Sequence, residues 1–258
     1  MTPIHKFKFT LLGAAVATLA ACSSPEQVVE PINGKEPTTS HLPKTRASES
    51  PSQTTADYAI FQSTLTAAKQ GDDVLPAQFL SRQSDSAMGE SVRNEWLKSL
   101  GSRNRWDLFQ QQYAKLEAAG RSLEVRCYAD YQALSQQGKK SSVAAEVVQE
   151  LGRQAPGCNR LLEEAARRGD LKQADAWRRV RGLISNNQMT DARNLAAALG
   201  SPLDGSAGGQ GAQEALLINV IGPTAQKSTA SAGTLESLSG SLTREQVGFA
   251  WGVLGYVQ

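Results

Sequence analysis

From Asp57 onward, apolar residues return every three or four positions, which is the period of a helix with one buried face. Tyr58, Phe61, Leu65 and Ala68 make the first such face. Met88, Val92 and Trp96 make the next, flanked by Leu97 and Leu100. Trp106, Phe109, Tyr113 and Leu116 follow, then Val125 with Tyr128, then Val143, Val147 and Leu151. Leu161, Leu162 and Ala165 continue the pattern, as do Trp177, Val180 and Ile184, and then Ala192, Leu195, Ala196 and Leu199. No alternating run of useful length interrupts it, so the expected fold class is all-α.

The interruptions are regular. Gly71, Gly101, Gly120, Gly138, Gly157, Gly169, Asn187 and Gly200 are expected to separate helices of about 10 to 16 residues. Short links favour antiparallel neighbours, so a run of antiparallel helical hairpins is predicted. The segments RRGDLKQADAW and SNNQMTDARNLAAAL carry Ala174 and Ala192 equally far beyond a break. This is a degenerate tetratricopeptide-like pattern, in which a small residue lets two helices approach closely. The Gly-rich stretch SPLDGSAGGQGAQ, residues 201–213, lacks the lysine and spacing of a nucleotide loop and reads as a flexible connector. The ending GFAWGVLGYVQ sets Phe249, Ala250, Val253 and Leu254 at helical spacing, with Trp251 and Tyr256 among them. Terminal repeats of solenoids usually turn a polar face outward. Here a bare outer face is expected, as for an internal hairpin.

The front of the chain reads differently. Lys6 and Lys8 precede an apolar stretch over residues 9–21, too short to span a bilayer, which needs about 20 apolar residues. It ends Leu19-Ala20-Ala21-Cys22 and resembles a bacterial lipobox, which implies a lipid-modified Cys22 after cleavage of residues 1–22. Ser23 at the next position, by resemblance to other lipoproteins, directs the chain to the outer membrane of a Gram-negative cell, facing the periplasm. Residues 23–55 hold five of the ten prolines, many Ser, Thr and Glu, and no aromatic residue. Such a segment cannot bury enough apolar surface to offset its ordering entropy and reads as a tether. The helical body is then residues 56–258.

Without Lys6 and Lys8 the 27 basic residues fall to 25, matching the 25 acidic ones. A neutral mature chain gives no reason to expect a nucleic-acid partner. Cys127 and Cys158 remain as an even pair in an exported chain, and a structural disulfide is expected between them. A metal site lacks partners, because the only His beyond the leader is His41 in the tether. A nucleophile–His pair is excluded from the body for the same reason. Arg167, Arg168, Arg178, Arg179 and Arg181 cluster around one hairpin. They form a candidate glycan-facing basic cluster, set against the plainer reading of a solvated face paired with Glu163, Glu164 and Asp175.

Several long stretches carry a resemblance. SDSAMGESVRNEWLKSLGSRNRWDLF, YAKLEAAGRSLEVRCYAD, DAWRRVRGLISNNQMTDARNLAAALGSPLDG and GFAWGVLG, in this order, resemble the soluble lytic murein transglycosylase family, and most of all its neisserial lipoprotein branch. The resemblance implies a superhelical, U-shaped α-domain. It also implies non-hydrolytic cleavage of the MurNAc-β-1,4-GlcNAc bond to a 1,6-anhydro end, by one glutamate acting as acid and then base, with no cofactor. The implied partners are peptidoglycan glycan strands, the outer membrane through the lipid anchor, and cell-wall synthesis or hydrolysis proteins. The family's catalytic glutamate lies in Glu-Ser followed by Gly-Leu-Met-Gln. Glu49-Ser50, Glu90-Ser91 and Glu236-Ser237 each have the pair without the sequel, so no catalytic residue is assigned. The expectation is the N-terminal part of the superhelical domain, inactive alone. The rival reading is a non-enzymatic repeat scaffold of the envelope.

Overall fold

The computed structural model describes residues 51–206 and 208–257, and the side chains of residues 55–206 and 208–255. The leader and most of the tether lie outside the described residues. Among the described residues every regular element is helical, so the fold is all-α.

The first nine helices are α1 (Pro51–Gln70), α2 (Val74–Gln83), α3 (Ala87–Ser102), α4 (Trp106–Tyr113), α5 (Leu123–Gln137), α6 (Ser142–Val147), α7 (Pro156–Arg167), α8 (Gln173–Ser185) and α9 (Met189–Ala198). They are followed by α10 (Gly209–Ile221), α11 (Pro223–Gln226), α12 (Ser231–Leu238) and α13 (Arg244–Val257), with short 3-10 turns at Ala118–Gly120 and Ser239–Ser241. Helix α1 begins inside the stretch expected to be tether. Pro51 stands at its first position, where its missing N–H costs no bond.

Five of the helices end by one repeated device. At Gly71, Asn104, Gly169, Asn187 and Gly200 the backbone turns left-handed, with φ of 90°, 60°, 72°, 60° and 77°. In each case that residue's N–H bonds the carbonyl three residues back, and the following N–H bonds the carbonyl five residues behind it. This is the Schellman arrangement, which satisfies carbonyls the helix leaves unpaired. Gly138 ends α5 more simply, its N–H bonding Leu134 O at 3.1 Å. Serines start three helices: Ser86 and Ser141 each accept a backbone N–H at 2.9 Å, and Ser122 accepts one at 3.5 Å.

Two expected breaks are not breaks. Gly101 lies within α3 and Gly157 in the first turn of α7, and both face the ring of Tyr128. A Cβ at Gly101 would sit 2.4 Å from Tyr128 Cγ, so this glycine exists for close approach and not for a turn. The stop that sequence reading placed at Gly101 is made by Asn104.

Odd-numbered helices stack in series, α1 on α3, α3 on α5, α5 on α7 and α7 on α9, while α2, α4, α6 and α8 pack against their sequence neighbours. After α9 the order changes, and α10 becomes the hub for α8, α11, α12 and α13. Two apolar cores result. The front one holds Ala68, Phe79, Trp96, Leu97, Leu100, Phe109 and Tyr128. The rear one runs from Cys127 and Leu134 through Leu161, Trp177, Ile184 and Leu195 to Ala250 and Leu254. Helix α5 belongs to both, giving Val125 and Tyr128 to the front and Cys127 and Leu134 to the rear.

Other expectations shift. The stretch read as a connector becomes helical at Gly209, and Gly211 packs so tightly that a Cβ would meet Ser201 O at 2.1 Å. Ala174 is exposed, and the buried alanines are Ala176 and Ala192. The link from Gly169 to Gln173 is longer than that from Asn187 to Met189, so equal spacing in sequence does not give equal positions on the helices. Tyr58 and Leu151, assigned to buried faces, are 53% and 41% exposed, the latter because α6 ends at Val147. In α13, Ala250 and Leu254 are buried and Phe249 and Val253 half-buried, while Trp251 is 42% exposed.

Candidate functional site

Cys22 lies outside the described residues. Cys127 on α5 and Cys158 in the first turn of α7 stand at disulfide distance, with sulfurs 2.04 Å apart, where these two helices pack. Of the three Glu-Ser pairs, Glu49 is outside the described residues. Glu90 is in the first turn of α3, and Glu236 belongs to α12 rather than to a connector.

The five arginines do not form one cluster. Arg167 is on the surface, bonded to Glu164 at 2.7 Å and Glu163 at 3.3 Å. Arg168 reaches Asp170 at 3.6 Å, and Arg178 bonds Gln149 and lies 3.6 Å from Asp175. For these three the solvated, ion-paired face describes what is seen. Arg179 and Arg181 are only 0% and 1% exposed, so neither faces a glycan. Helix α8 is central, with Ala176, Trp177, Val180, Leu183 and Ile184 all buried, and arginines carried among them go inward.

Each buried arginine has a local task. The segment between α6 and α7 has no regular structure, so its carbonyls need donors. Arg179 supplies them, bonding Gly152 O at 2.9 Å, Glu150 O, and Gln154 Oε1 at 2.9 Å. Gln188 fixes the same segment, accepting Gln154 N–H at 2.7 Å and donating to Gln154 O at 2.9 Å. Burial pushes the Arg179 pKa down to about 10, still high enough to keep it charged at neutral pH. Arg181 lies 3.6 Å from Glu214 on α10, bonds Glu245 on α13 at 2.9 Å, and sits over the Phe249 ring. Glu214 is fully buried and accepts from Gln246 at 3.0 Å. Gln246 and Thr243 also exchange bonds as a capping box at the start of α13. Burial raises the Glu214 pKa, against the pull of Arg181. Arg181 Nη1 and Glu214 Oε2 have no hydrogen-bond partner.

A surface group that sequence reading missed lies on α4, α5 and α7. Arg160 lies 4.3 Å from the centre of the Tyr131 ring and 5.9 Å from that of Trp106. It also bonds Asn104 Oδ1 at 2.6 Å and the Tyr131 hydroxyl at 3.2 Å. Beyond it Trp106 meets Phe109 edge-on, Phe109 stacks on Tyr113, and Arg121 covers Tyr113 at 4.1 Å. Trp106, Tyr113 and Tyr131 are half-buried, so this row of rings and guanidinium groups meets solvent. The rings were legible as core positions, but their pairing with Arg160 spans helices and has no local signal. A cleft of about 600 Å³ lies elsewhere, lined by Leu151, Ser185, Asn186, Gln226, Phe249 and Val253.

No helix among the described residues is long and apolar enough to cross a membrane. Compared with family models and with curated proteins, the chain finds no match. What stands is an all-α protein with serially stacked helices, one cross-helix cysteine pair and a surface row of aromatic rings and arginines.

Proposed function

We propose that the chain is the superhelical, glycan-guiding portion of an outer-membrane lipoprotein of the lytic murein transglycosylase kind. The resemblance of the four long stretches carries this reading. They fall on α3 and α4, on the turn before α5 and α5 itself, on α8 and α9, and on α13. The serial stacking of α1, α3, α5, α7 and α9 supports a superhelical solenoid, in which each unit buries its face against its neighbours. The row of Trp106, Tyr113 and Tyr131 with Arg121 and Arg160 offers apolar ring surface beside donors, which suits the faces and hydroxyls of sugar rings. In this reading the chain holds glycan strands, and a glutamate outside these 258 residues breaks the MurNAc-GlcNAc bond.

The test uses the purified full chain and murein sacculi. Sacculus binding is expected, with no anhydromuropeptide released above a boiled control, and Trp106→Ala should weaken binding several-fold. Release of anhydro ends by the chain alone would place catalysis within it. Absence of binding would reject the glycan-guiding role.

The rival is a non-enzymatic tetratricopeptide-like scaffold of the envelope. The α8–α9 hairpin, closed by the same left-handed stop at Asn187 and Gly200, favours it. Capture of an envelope protein without any affinity for sacculi would select the rival.

A further inference from the structure

A cleft of about 600 Å³ opens where the segment after α6, the end of α8, α11 and α13 come together. Leu151, Phe249 and Val253 give it apolar walls. Leu151 is 41% exposed, and Phe249 and Val253 are half-buried, so these walls are open to a ligand. Gly252 lines the cleft too, and a Cβ added there would meet nothing within 4 Å. The polar lining is gathered at one place. Ser185 and its neighbour Asn186 close α8, and Gln226 at the end of α11 bonds the Ser185 carbonyl at 2.8 Å. An apolar space of this size with a few convergent polar groups is the form of a small-ligand site.

The three polar side chains have their hydrogens committed inside the protein. Asn186 Nδ2 donates to Leu151 O at 2.7 Å and to Gly182 O at 2.8 Å. Gln226 Nε2 donates to Ser185 O at 2.8 Å and to Ile221 O at 2.6 Å. The Ser185 hydroxyl donates to Gly182 O at 3.0 Å. An amide has two N–H donors and a hydroxyl one O–H, so only lone pairs remain. Asn186 Oδ1, Gln226 Oε1 and Ser185 Oγ accept from no described residue. Neither amide can turn over to offer an N–H without breaking both of its bonds. The same place is the C-terminal end of α8, the negative pole of its dipole. None of the described residues lining the cleft is ionised. A carboxylate or phosphate would therefore meet lone pairs alone, and a hydroxyl would answer one oxygen of three. A primary ammonium brings three N–H donors and the sign of charge that a helix C-terminus favours.

We propose that this cleft binds a primary alkylammonium group. Its apolar stem lies along Leu151, Phe249 and Val253, and its N–H groups meet the oxygens of Ser185, Asn186 and Gln226. A free amine and the lysine side chain of a peptide share this chemistry. The assignment does not rest on the glycan reading, whose row of rings lies on α4, α5 and α7.

The test is an NMR titration of the nitrogen-15-labelled full chain in a nonionic detergent, with n-hexylammonium, hexanoate, 1-hexanol and N-acetyl-leucyl-lysine methylamide. Hexylammonium should shift the amides of Asn186, Gln226 and Gly252 saturably, with a Kd below about 10 mM. Hexanoate and 1-hexanol should bind at least about tenfold more weakly. Gly252→Leu starts a side chain into the open cleft, and should weaken hexylammonium binding at least about tenfold without lowering Tm. Ser185→Ala removes one acceptor and should weaken it about threefold. Tighter binding of the lysine peptide than of hexylammonium marks a peptide as the source, and weaker binding marks a free amine. Either result upholds the site. Equal binding of hexanoate or 1-hexanol, full affinity in Gly252→Leu, or no saturable shift at these residues would overturn it. Hexylammonium binding without sacculus binding would reject the murein reading alone.

Discussion

Around α3 the core sets four aromatic side chains, Phe79, Trp96, Phe109 and Tyr128, among leucines and valines, and most of its charges sit at the rim. Asp73 there accepts from Trp96 Nε1 at 2.7 Å, Arg103 at 2.7 Å and Arg105 at 3.2 Å, with all three charged groups partly in water. Arg93 is the exception, buried and bound to Ser84. Around α8 the core is aliphatic and alanine-rich, yet it encloses Arg179, Arg181 and Glu214. Aromatic side chains fill space between helices with large apolar area, and a polar edge such as Trp96 Nε1 reaches out to the rim. Alanines draw helices together, and the irregular gaps at their ends are closed by long side chains with apolar stems and polar heads. Each such head must then find partners inside the protein.

The contrast breaks most sharply at Arg181. Arg181→Ala strands Glu214 in the rear core and should cost about 3–5 kcal/mol by urea unfolding, far more than an exposed pair is worth. Replacing both, Arg181→Met with Glu214→Leu, should recover most of that loss. A cost under about 1 kcal/mol for the single change would mean that the rear core relies on packing alone.

Glycines separate the regions next. Gly101→Ala drives a methyl into the clamped Tyr128 ring and should cost about 1–3 kcal/mol. Gly252→Ala in α13 meets nothing within 4 Å and should gain about 0.5–1 kcal/mol from helix propensity. Thermal unfolding of the two variants tests whether the cost of a methyl follows the packing around each glycine, as at Gly101, or only helix propensity, as at Gly252.

The smallest and most diagnostic difference is in pH. The hydrogen bond from Arg103 holds the Asp73 carboxyl below its ordinary 3.8, so its contribution is present above that value and is lost as pH falls through the folded pKa. Burial raises Glu214 above its ordinary 4.5, so the folded state holds that proton longer. Its penalty is absent below 4.5 and grows as pH rises through the folded pKa. Relative to wild type, Glu214→Gln should therefore become more favourable with rising pH, and Asp73→Asn less favourable. Parallel pH profiles for the two variants would erase the distinction.

Apolar periodicity made the helices legible, because each helix answers to its own residues. Val92, Trp96, Leu97 and Leu100 are all buried, as their spacing says. Stops were legible where a glycine had no other task, as at Gly71, Gly169 and Gly200. They were not legible at Asn104, whose left-handed turn is displaced from Gly101 by the packing of Tyr128, a residue 27 positions on from that glycine. The arginine cluster failed for the same reason. Arg178 and Arg179 are neighbours in sequence, and the segment between α6 and α7, folded back onto α8, encloses Arg179 while Arg178 stays at the surface.

The covalent tie between α5 and α7 also decides how the chain carries a pull. Cys127 and Cys158 are 31 positions apart, and α6 with its irregular flanks lies between them. A pull on the helices before α5 passes from α5 to α7 through two sulfur atoms instead of through those intervening residues. That stretch is a slack loop in mechanical terms. It can unravel or reseal without lengthening the molecule, and the load falls on the helices stacked on either side.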